Sequence, residues 1–329
     1  GVNIVDAARP HNMIEVGYFD TNPLSGPGFD GVWGLECFSP SGRIYAADMS
    51  QGFWVLNPTY KRACYLEGTV TDFSNGNPLT NASITILGTP SSDLSSNFGE
   101  YATGVADSGT YTIRYAKYGY RDTTITALLD HGVLTLRNIA LVPNPRVAMT
   151  VNVIETGTGN PVANAGVVFQ EVTSGIPTTY TTNTQGQLVD NNFMASDYHL
   201  IVGHWGHQTV QIDTNITAST NTITVSIPKG YYDDFTFDFG WTTSGTAQSG
   251  QWERGEPVGT PFFNIFCNPE VDDSTDFGNE CYVTGNQGGD ANFNDVDQGV
   301  TVLTSPVMDL SGYTNPWLIF DYWFISISN

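Results

Sequence analysis

The stretch Leu66-Glu-Gly-Thr-Val-Thr-Asp72, continued by Gly76-Asn-Pro-Leu-Thr-Asn-Ala-Ser-Ile-Thr-Ile86, returns 83 residues later as Met149-Thr-Val-Asn-Val-Ile-Glu155 and Gly159-Asn-Pro-Val-Ala-Asn-Ala-Gly-Val-Val-Phe169. A second pair repeats at an offset of 87, Tyr111-Thr-Ile-Arg-Tyr-Ala-Lys-Tyr-Gly-Tyr120 and Tyr198-His-Leu-Ile-Val-Gly-His-Trp-Gly-His207. Each copy closes on an alternating run, Leu134–Leu141 and Thr222–Ile227. Self-similarity of this kind means one folding unit used twice. Within each unit, runs rich in Val, Ile, Leu, Thr and Tyr alternate in polarity between clusters of Gly, Asn, Asp and Ser. That is the pattern of strands with one buried and one wet face. Gly-Asn-Pro is turn chemistry, because Pro presets φ and Gly supplies the angle other residues avoid. No stretch keeps a helical period.

These residues resemble the carboxypeptidase regulatory-like family. The matching positions are Gly68-Thr-Val-Thr-Asp72, the turn Gly76-Asn-Pro-Leu-Thr-Asn-Ala82, and Gly109-Thr-Tyr-Thr-Ile113 ahead of Lys117-Tyr-Gly-Tyr120. The second copy keeps the Asn-Pro turn and Trp205-Gly206 but lacks the Gly-Thr-Val opening. The resemblance implies transthyretin-like, seven-stranded sandwiches without an active site, used as spacers or rigid supports in secreted proteins. The expected fold is therefore all-β, with tandem transthyretin/Ig-like sandwiches at 66–143 and 147–229. The two prolines of Pro143-Asn-Pro-Arg146 stiffen the joint between them.

The flanks read differently. Over residues 1–60, Ile4-Val5-Asp6 with Pro10, then Trp33-Gly34, Pro40-Ser-Gly-Arg-Ile-Tyr45 and Asp48 through Gly52-Phe-Trp-Val-Leu56, resemble LVIVD-repeat propellers of the "choice-of-anchor B" type. This implies the C-terminal part of a β-propeller, a blade and a fraction. From 231 to 329, Trp252-Glu-Arg-Gly-Glu-Pro257, Cys281-Tyr-Val-Thr-Gly-Asn286, Asn294-Asp-Val-Asp-Gln-Gly299 and Leu303-Thr-Ser-Pro-Val-Met-Asp-Leu-Ser311 resemble a MAM-like jelly-roll of secreted bacterial proteins. An incomplete jelly-roll is expected, with strands opening at Asp233-Asp234-Phe235 and spanning Trp317–Phe324. Gly1 is no initiator, so the sequence reads as processed or as an excerpt.

Charge narrows the function. The 329 residues hold 33 acids against 11 Lys and Arg, a formal net charge of −22. A nucleic-acid partner would need a basic stripe that so few cations cannot make. An acidic surface suits extracellular or saline conditions. No signal peptide or membrane span is read, since the apolar run Phe320–Ile327 is too short to cross a bilayer.

The acidic loops are the best site candidate. Asp290, Asp295 and Asp297 fall within ten residues of a Gly turn, and Asp272, Asp273 or Glu256 come from neighbouring loops. Calcium takes six to eight oxygens of this kind. The competing reading is a set of solvated loop acids. Cys267 and Cys281 are spaced for a local disulfide, while Cys37 and Cys64 either pair or stay as buried thiols. Asn81-Ala-Ser and Asn215-Ile-Thr are glycosylation sequons, and Asp122-Thr-Thr and Asp273-Ser-Thr, with Thr123 and Ser274, resemble bacterial O-glycosylation sites.

Catalysis has little to stand on. His204-Trp-Gly-His207 invites a metal reading, but Lys117 and Tyr120 fill the same slots in the first copy, which makes the pair structural. His11, His131 and His199 have no partners nearby in sequence. No Gly-x-Ser-x-Gly elbow or phosphate loop is present, and Asp233-Asp234 on a strand would face opposite ways. Trp205, Tyr118, Tyr120, Tyr231, Tyr232 and Trp241 either line a sugar- or peptide-binding face or pack a core.

The expected function is a non-catalytic structural or adhesive segment of a large secreted or cell-surface bacterial protein. Its partners would be other surface or matrix proteins, glycans or itself, and type IX-like export rests on the resemblance alone. The alternatives are an accessory region of a secreted hydrolase or peptidase, and a strand-exchanging filament subunit.

Overall fold

Opening the chain, β1 (Val2–Asp6) and β2 (Ile14–Phe19) form an antiparallel hairpin, and β3 (Val32–Glu36), β4 (Ile44–Asp48) and β5 (Gly52–Leu56) form a separate three-stranded meander. A propeller blade is four-stranded, and this arrangement is divided two and three. The computed structural model describes residues 1–22, 31–219, 222–262 and 265–325. Contacts divide the chain into two units, Gly1–Asn144 and Pro145–Asn329.

In the first unit the initial segment is tied to the first sandwich by charge. Asp6 accepts Arg62 Nε at 2.7 Å and the Ala63 amide at 2.9 Å, and Arg9 forks onto Glu67 with two bonds of 2.7 Å. Burial works against the charged form of Asp6, but the Arg62 guanidinium and the Ala63 and Ala8 amides outweigh it and hold the carboxyl well below its ordinary range.

The first sandwich comprises β6 (Cys64–Asp72), β7 (Ser83–Ile86), β8 (Ser92–Leu94), β9 (Glu100–Val105), β10 (Gly109–Ala116), β11 (Thr123–Leu129), β12 (Leu134–Leu136) and β13 (Ile139–Leu141). One sheet runs β8-β7-β10-β11. In the other, β6 lies antiparallel to β9 and parallel to β12 and β13. The second sandwich uses β14 (Arg146–Glu155), β15 (Gly166–Glu171), β16 (Pro177–Thr181), β17 (Gln187–Met194), β18 (Asp197–Gly203), β19 (Val210–Asn215) and β20 (Thr222–Ile227). Its sheets run β16-β15-β18-β19 and β17-β14-β20, so the topology of the first is reproduced with one closing strand, β20, in place of two.

The repeat extends to single atoms. After Asn-Pro, Asn81 and Asn164 both turn left-handed, with φ of 53° and 56°. Beside them stand two buried hydroxyls that no sequence reading singled out. Ser95 Oγ accepts the Ala82 amide at 2.8 Å and donates to the Leu79 carbonyl. Thr182 Oγ1 accepts the Ala165 amide at 2.9 Å and donates to the Val162 carbonyl. Each hydroxyl closes the turn between the first two strands of its sandwich, inside the protein where water cannot substitute.

The copies differ where the opening motif differs. A side chain at Gly68 would sit 1.8 Å from the Arg137 carbonyl oxygen. That carbonyl turns inward to accept Tyr101 Oη at 2.8 Å, and Tyr101 Oη meets Tyr115 Oη at 2.8 Å. The closing run, expected as one strand, is therefore broken at Arg137-Asn138 into β12 and β13. Val151 takes the place of Gly68 in the second copy. Its core is aliphatic there, with Leu188 and Val202 at the tyrosine positions, and β20 runs unbroken for six paired residues.

Beyond Ile227 the strands thin out. β21 (Thr242–Gly245) pairs β26 (Thr301–Thr304), with β22 (Trp252–Gly255), β23 (Thr260–Phe262), β24 (Ile265–Asn268) and β25 (Cys281–Thr284) between them in sequence. β22 pairs β25, and β23 pairs β24. Two expected strands are absent. Asp233-Asp234-Phe235 makes a side-chain-capped bend, with Phe235 at a φ of 61°, because both aspartates take up nearby amides. Trp317–Phe324 pairs with no strand among the described residues, and Trp317 is 89% exposed. Ser326 and Ile327 of the same apolar run lie outside the described residues.

Ser95→Ala and Thr182→Val should each leave an amide and a carbonyl unpaired in the core. Each is expected to destabilise its own sandwich by about 2 kcal/mol, measured by chemical denaturation with hydrogen exchange to assign the loss to one sandwich.

Candidate functional site

The segment after the second sandwich is positioned by one aromatic ring. Phe237 lies over the outer face of β15 and β18 against Val168 and Ile201. A Cβ at Gly166 would come within 2.4 Å of this ring, and one at Gly203 within 2.8 Å. Serine and alanine stand at the matching places, Ser83 and Ala116, in the first sandwich. Two glycines thus make the seat, and the seated ring fixes the residues just before it, Asp233 and Asp234.

Asp234 is 3% exposed. Its Oδ1 accepts the Thr236 amide at 3.1 Å, and its Oδ2 is buried without a hydrogen bond. Thr236 Oγ1 donates to the Phe277 carbonyl at 2.6 Å, which brings the loop 271–280 alongside. Asp272 Oδ2 and Asp276 Oδ1 in that loop are likewise buried and unbonded. Burial first, then Asp272, Asp234 and Asp273, push the Asp276 carboxyl up to about 7. Burial also raises Asp234 and Asp233, the latter partly offset by Trp241 Nε1, which donates to its Oδ2 at 2.7 Å. Arg254, ion-paired with Glu280, spends its other donors on the Phe235 and Thr236 carbonyls.

The six acids expected to bind calcium are not brought together. Asp272 and Asp273 belong to this cluster. Asp290, Asp295 and Asp297 lie on an exposed loop elsewhere, where the Asp297 carbonyl accepts the Gln248 amide at 2.9 Å and the Asp295 carbonyl accepts Ser249 Oγ at 3.2 Å. Glu256 is exposed, and its carbonyl accepts Asn286 Nδ2. Among the described residues no three or more His, Cys, Asp or Glu side chains are arranged to hold a metal ion. The sequence reading weighs Asp234 only as a catalytic partner of Asp233, and does not bring it together with Asp276. The apolar residues around Asp233-Asp234 were the one available signal.

All four cysteines are free thiols, so neither Cys267–Cys281 nor Cys37–Cys64 is bridged in this structure. Burial, then Asp272 and Asp276, push the Cys281 thiol up to about 12. Cys64 Sγ lies 3.6 Å from His131 Nδ1, a spacing that invites a nucleophile–base reading. That nitrogen also sits 2.8 Å from the Arg62 carbonyl, which requires a proton on it, and burial raises the thiol. A buried, protonated thiol facing an N–H is inert.

The remaining histidines all have partners. His11 stands 3.3 Å from Glu67, His199 stands 2.6 Å from Asp213, and His204 and His207 meet each other at 3.3 Å. Most of the singled-out aromatics are engaged in packing. Trp205 packs on Tyr231 and Phe239 and donates to the Val307 carbonyl, Trp241 packs on Phe235 and Tyr282, and Tyr232 meets Phe277. Tyr120 Oη donates to Asp72, and Tyr118 is 41% exposed. Of the glycosylation candidates, Asn81, Asn215 and Ser274 are exposed and Thr123 is half-buried.

The class of protein so defined is an all-β chain built on two sandwiches of one topology. Residues 65–142, the first of them, match the carboxypeptidase regulatory-like domain. No curated protein matches the chain. Among solved structures it is similar to a streptococcal ancillary pilin, at 14% identity over 57% of this chain and 71% of that one, with a TM-score of 0.36. It is also similar to a minor pilin of Streptococcus agalactiae, at 11% identity over 52% and 98% with a TM-score of 0.35. The shaft pilin of Lactobacillus rhamnosus GG gives 10% identity over 53% and 99%, with a TM-score of 0.24.

The acid cluster makes this region's stability depend on pH. Asp276 binds its proton up to about pH 7 when folded and up to about 3.8 when unfolded. The folded state therefore holds more protons between these values, and stability falls as pH rises through that window, levelling off above about 7. Asp276→Asn should lessen the dependence, adding on the order of 1–2 kcal/mol at pH 8 after allowance for solvent screening, and almost nothing at pH 4. Melting curves of both proteins across pH 4–8 check this.

Proposed function

We propose that the chain is a non-catalytic, load-bearing segment of a secreted or cell-surface protein, in which sandwiches hold other parts at a distance. The observation that carries this is the pairing of first strand with last. β6 is parallel to β12 and β13, and β14 is parallel to β20 over Thr150↔Thr222 to Glu155↔Ile227. Parallel neighbours leave a sandwich at opposite ends, so tension along the chain loads their hydrogen bonds together in shear. An antiparallel hairpin at the ends would instead open one bond at a time. The match of residues 65–142 to a regulatory-like domain supports the same reading.

The propeller-type and MAM-like identities of the flanks, type IX-like export, and surface, matrix or glycan partners belong to this proposal on sequence resemblance. Self-association is a second reading, favoured by the exposed apolar side chains of Trp317, Leu318, Ile319, Phe320, Trp323 and Phe324. Size measurement at low concentration tests it, and a strict monomer removes it. Calcium binding by Asp290, Asp295 and Asp297, with Asp272, Asp273 or Glu256, is proposed on their sequence pattern alone. A melting curve unchanged by calcium and by a chelator removes that proposal.

Pulling the chain from its ends should give two unfolding steps of about 25 nm each, set by roughly 3.4 Å per residue. The step from the second sandwich should need the higher force, because β20 is continuous where β12 and β13 are interrupted. Sandwiches that yield at the low force of an unzipping hairpin would sink the load-bearing proposal.

A further inference from the structure

The turn His204-Trp-Gly-His207 holds an arrangement that its counterpart in the first sandwich lacks. In both copies the turn closes by a bond from the fourth residue's amide to the first residue's carbonyl, Tyr120 to Lys117 at 3.0 Å and His207 to His204 at 2.8 Å. Gly119 and Gly206 occupy the third position with φ of 90° and 89°, the left-handed value a type II turn requires there. The fourth residue then ties back to the carboxylate that ends the opening strand. In the first copy Tyr120 Oη donates to Asp72 Oδ2 at 2.9 Å, and in the second His207 Nε2 lies 3.2 Å from Glu155 Oε2. A tyrosine–aspartate tie serves structure alone. The histidine version serves it too, but leaves a second nitrogen to spare.

That nitrogen is placed. With Nε2–H donated to Glu155, neutral His207 carries its lone pair on Nδ1. Nδ1 of His204 stands 3.3 Å away, with the two rings inclined at 70°. Two imidazole nitrogens bound to one tetrahedral zinc at about 2.0–2.1 Å are about 3.3–3.4 Å apart. A carboxylate on the far nitrogen of a metal-binding histidine is the usual way such a ring is oriented and made more basic. Glu155 is itself held, accepting Thr158 Oγ1 at 3.0 Å, with Lys229 Nζ 3.8 Å away. The side chains of His207 and Glu155 are 12% and 16% exposed. The turn is anchored by Trp205 through its bond to the Val307 carbonyl and its packing on Tyr231 and Phe239.

We propose that His204 and His207 form a two-imidazole site for a late first-row divalent cation such as zinc or copper, with Glu155 as the positioning residue for His207. The remaining positions on the metal are open to water or to a donor from another molecule. Burial, and then the neighbouring His207, lower the pKa of His204. Copper should bind more tightly than zinc, following the general order for nitrogen ligands. This site is separate from the acid cluster and does not depend on the load-bearing reading.

The test is zinc titration of the untagged full chain by calorimetry, with copper titration followed by quenching of tryptophan fluorescence. The informative variant copies the sister sandwich, His204→Lys with His207→Tyr. It keeps the turn and restores a tyrosine–carboxylate tie, so it should fold with the melting temperature of the parent. The parent is expected to bind one zinc saturably at pH 7.5. The double variant should lose at least tenfold in affinity at pH 7.5. Glu155→Gln should weaken binding about 10- to 100-fold without removing the site. No saturable zinc binding by the parent, or equal binding by the double variant, would overturn the proposal and leave a shared proton between the two rings.

Discussion

In each sandwich the opening strand is held on both edges, by an antiparallel neighbour and by the strand that closes the domain in parallel. The rest of each domain follows from that placement. A strand with two neighbours has no free edge to pair with another chain. Both its faces and both its hydrogen-bonding edges are fixed before the outer strands are considered. The turn that leaves it must bend sharply inside the protein, which is why a buried hydroxyl is needed there. The turn that returns to it from the opposite sheet is tied to its final carboxylate, Asp72 or Glu155. The ends of the domain are thereby tied to the same strand as its middle.

The two copies show how much side-chain change one backbone plan tolerates. Gly68, Tyr101, Tyr115 and the Arg137 carbonyl form an interlocked polar group in a core that is otherwise apolar. Val151, Leu188 and Val202 fill the same space with aliphatic side chains. The first solution satisfies each buried hydroxyl but interrupts the closing strand. The second keeps the strand whole. Substitution at the turn has a different consequence: exchanging tyrosine for histidine preserves the tie and adds a second ring nitrogen.

Charge is distributed unevenly in its effects. Of the 33 acids in the chain, a small group after the second sandwich is buried enough to resist ionisation. Asp234 and Asp276 do so because Phe237 anchors one segment and the Thr236–Phe277 bond draws the other against it. The acids of the 290–297 loop are exposed instead.

Read alone, the sequence determined the all-β class, the twofold repeat, and the turns at Gly76-Asn-Pro and Gly159-Asn-Pro. These rest on alternation and turn chemistry, which act between near neighbours in the chain. It did not reveal the clamps of Ser95 and Thr182, the break at Arg137-Asn138, the meeting of Asp234 with Asp276, or the approach of His207 to Glu155. It reads Trp317–Phe324 as a strand, whereas among the described residues that run pairs with no strand. Each of these depends on residues distant in sequence arriving at one place, which only the packing of strands decides. A strand-like run of apolar residues becomes a strand when an edge is there to receive it, and a carboxylate becomes unusual when the fold removes its water.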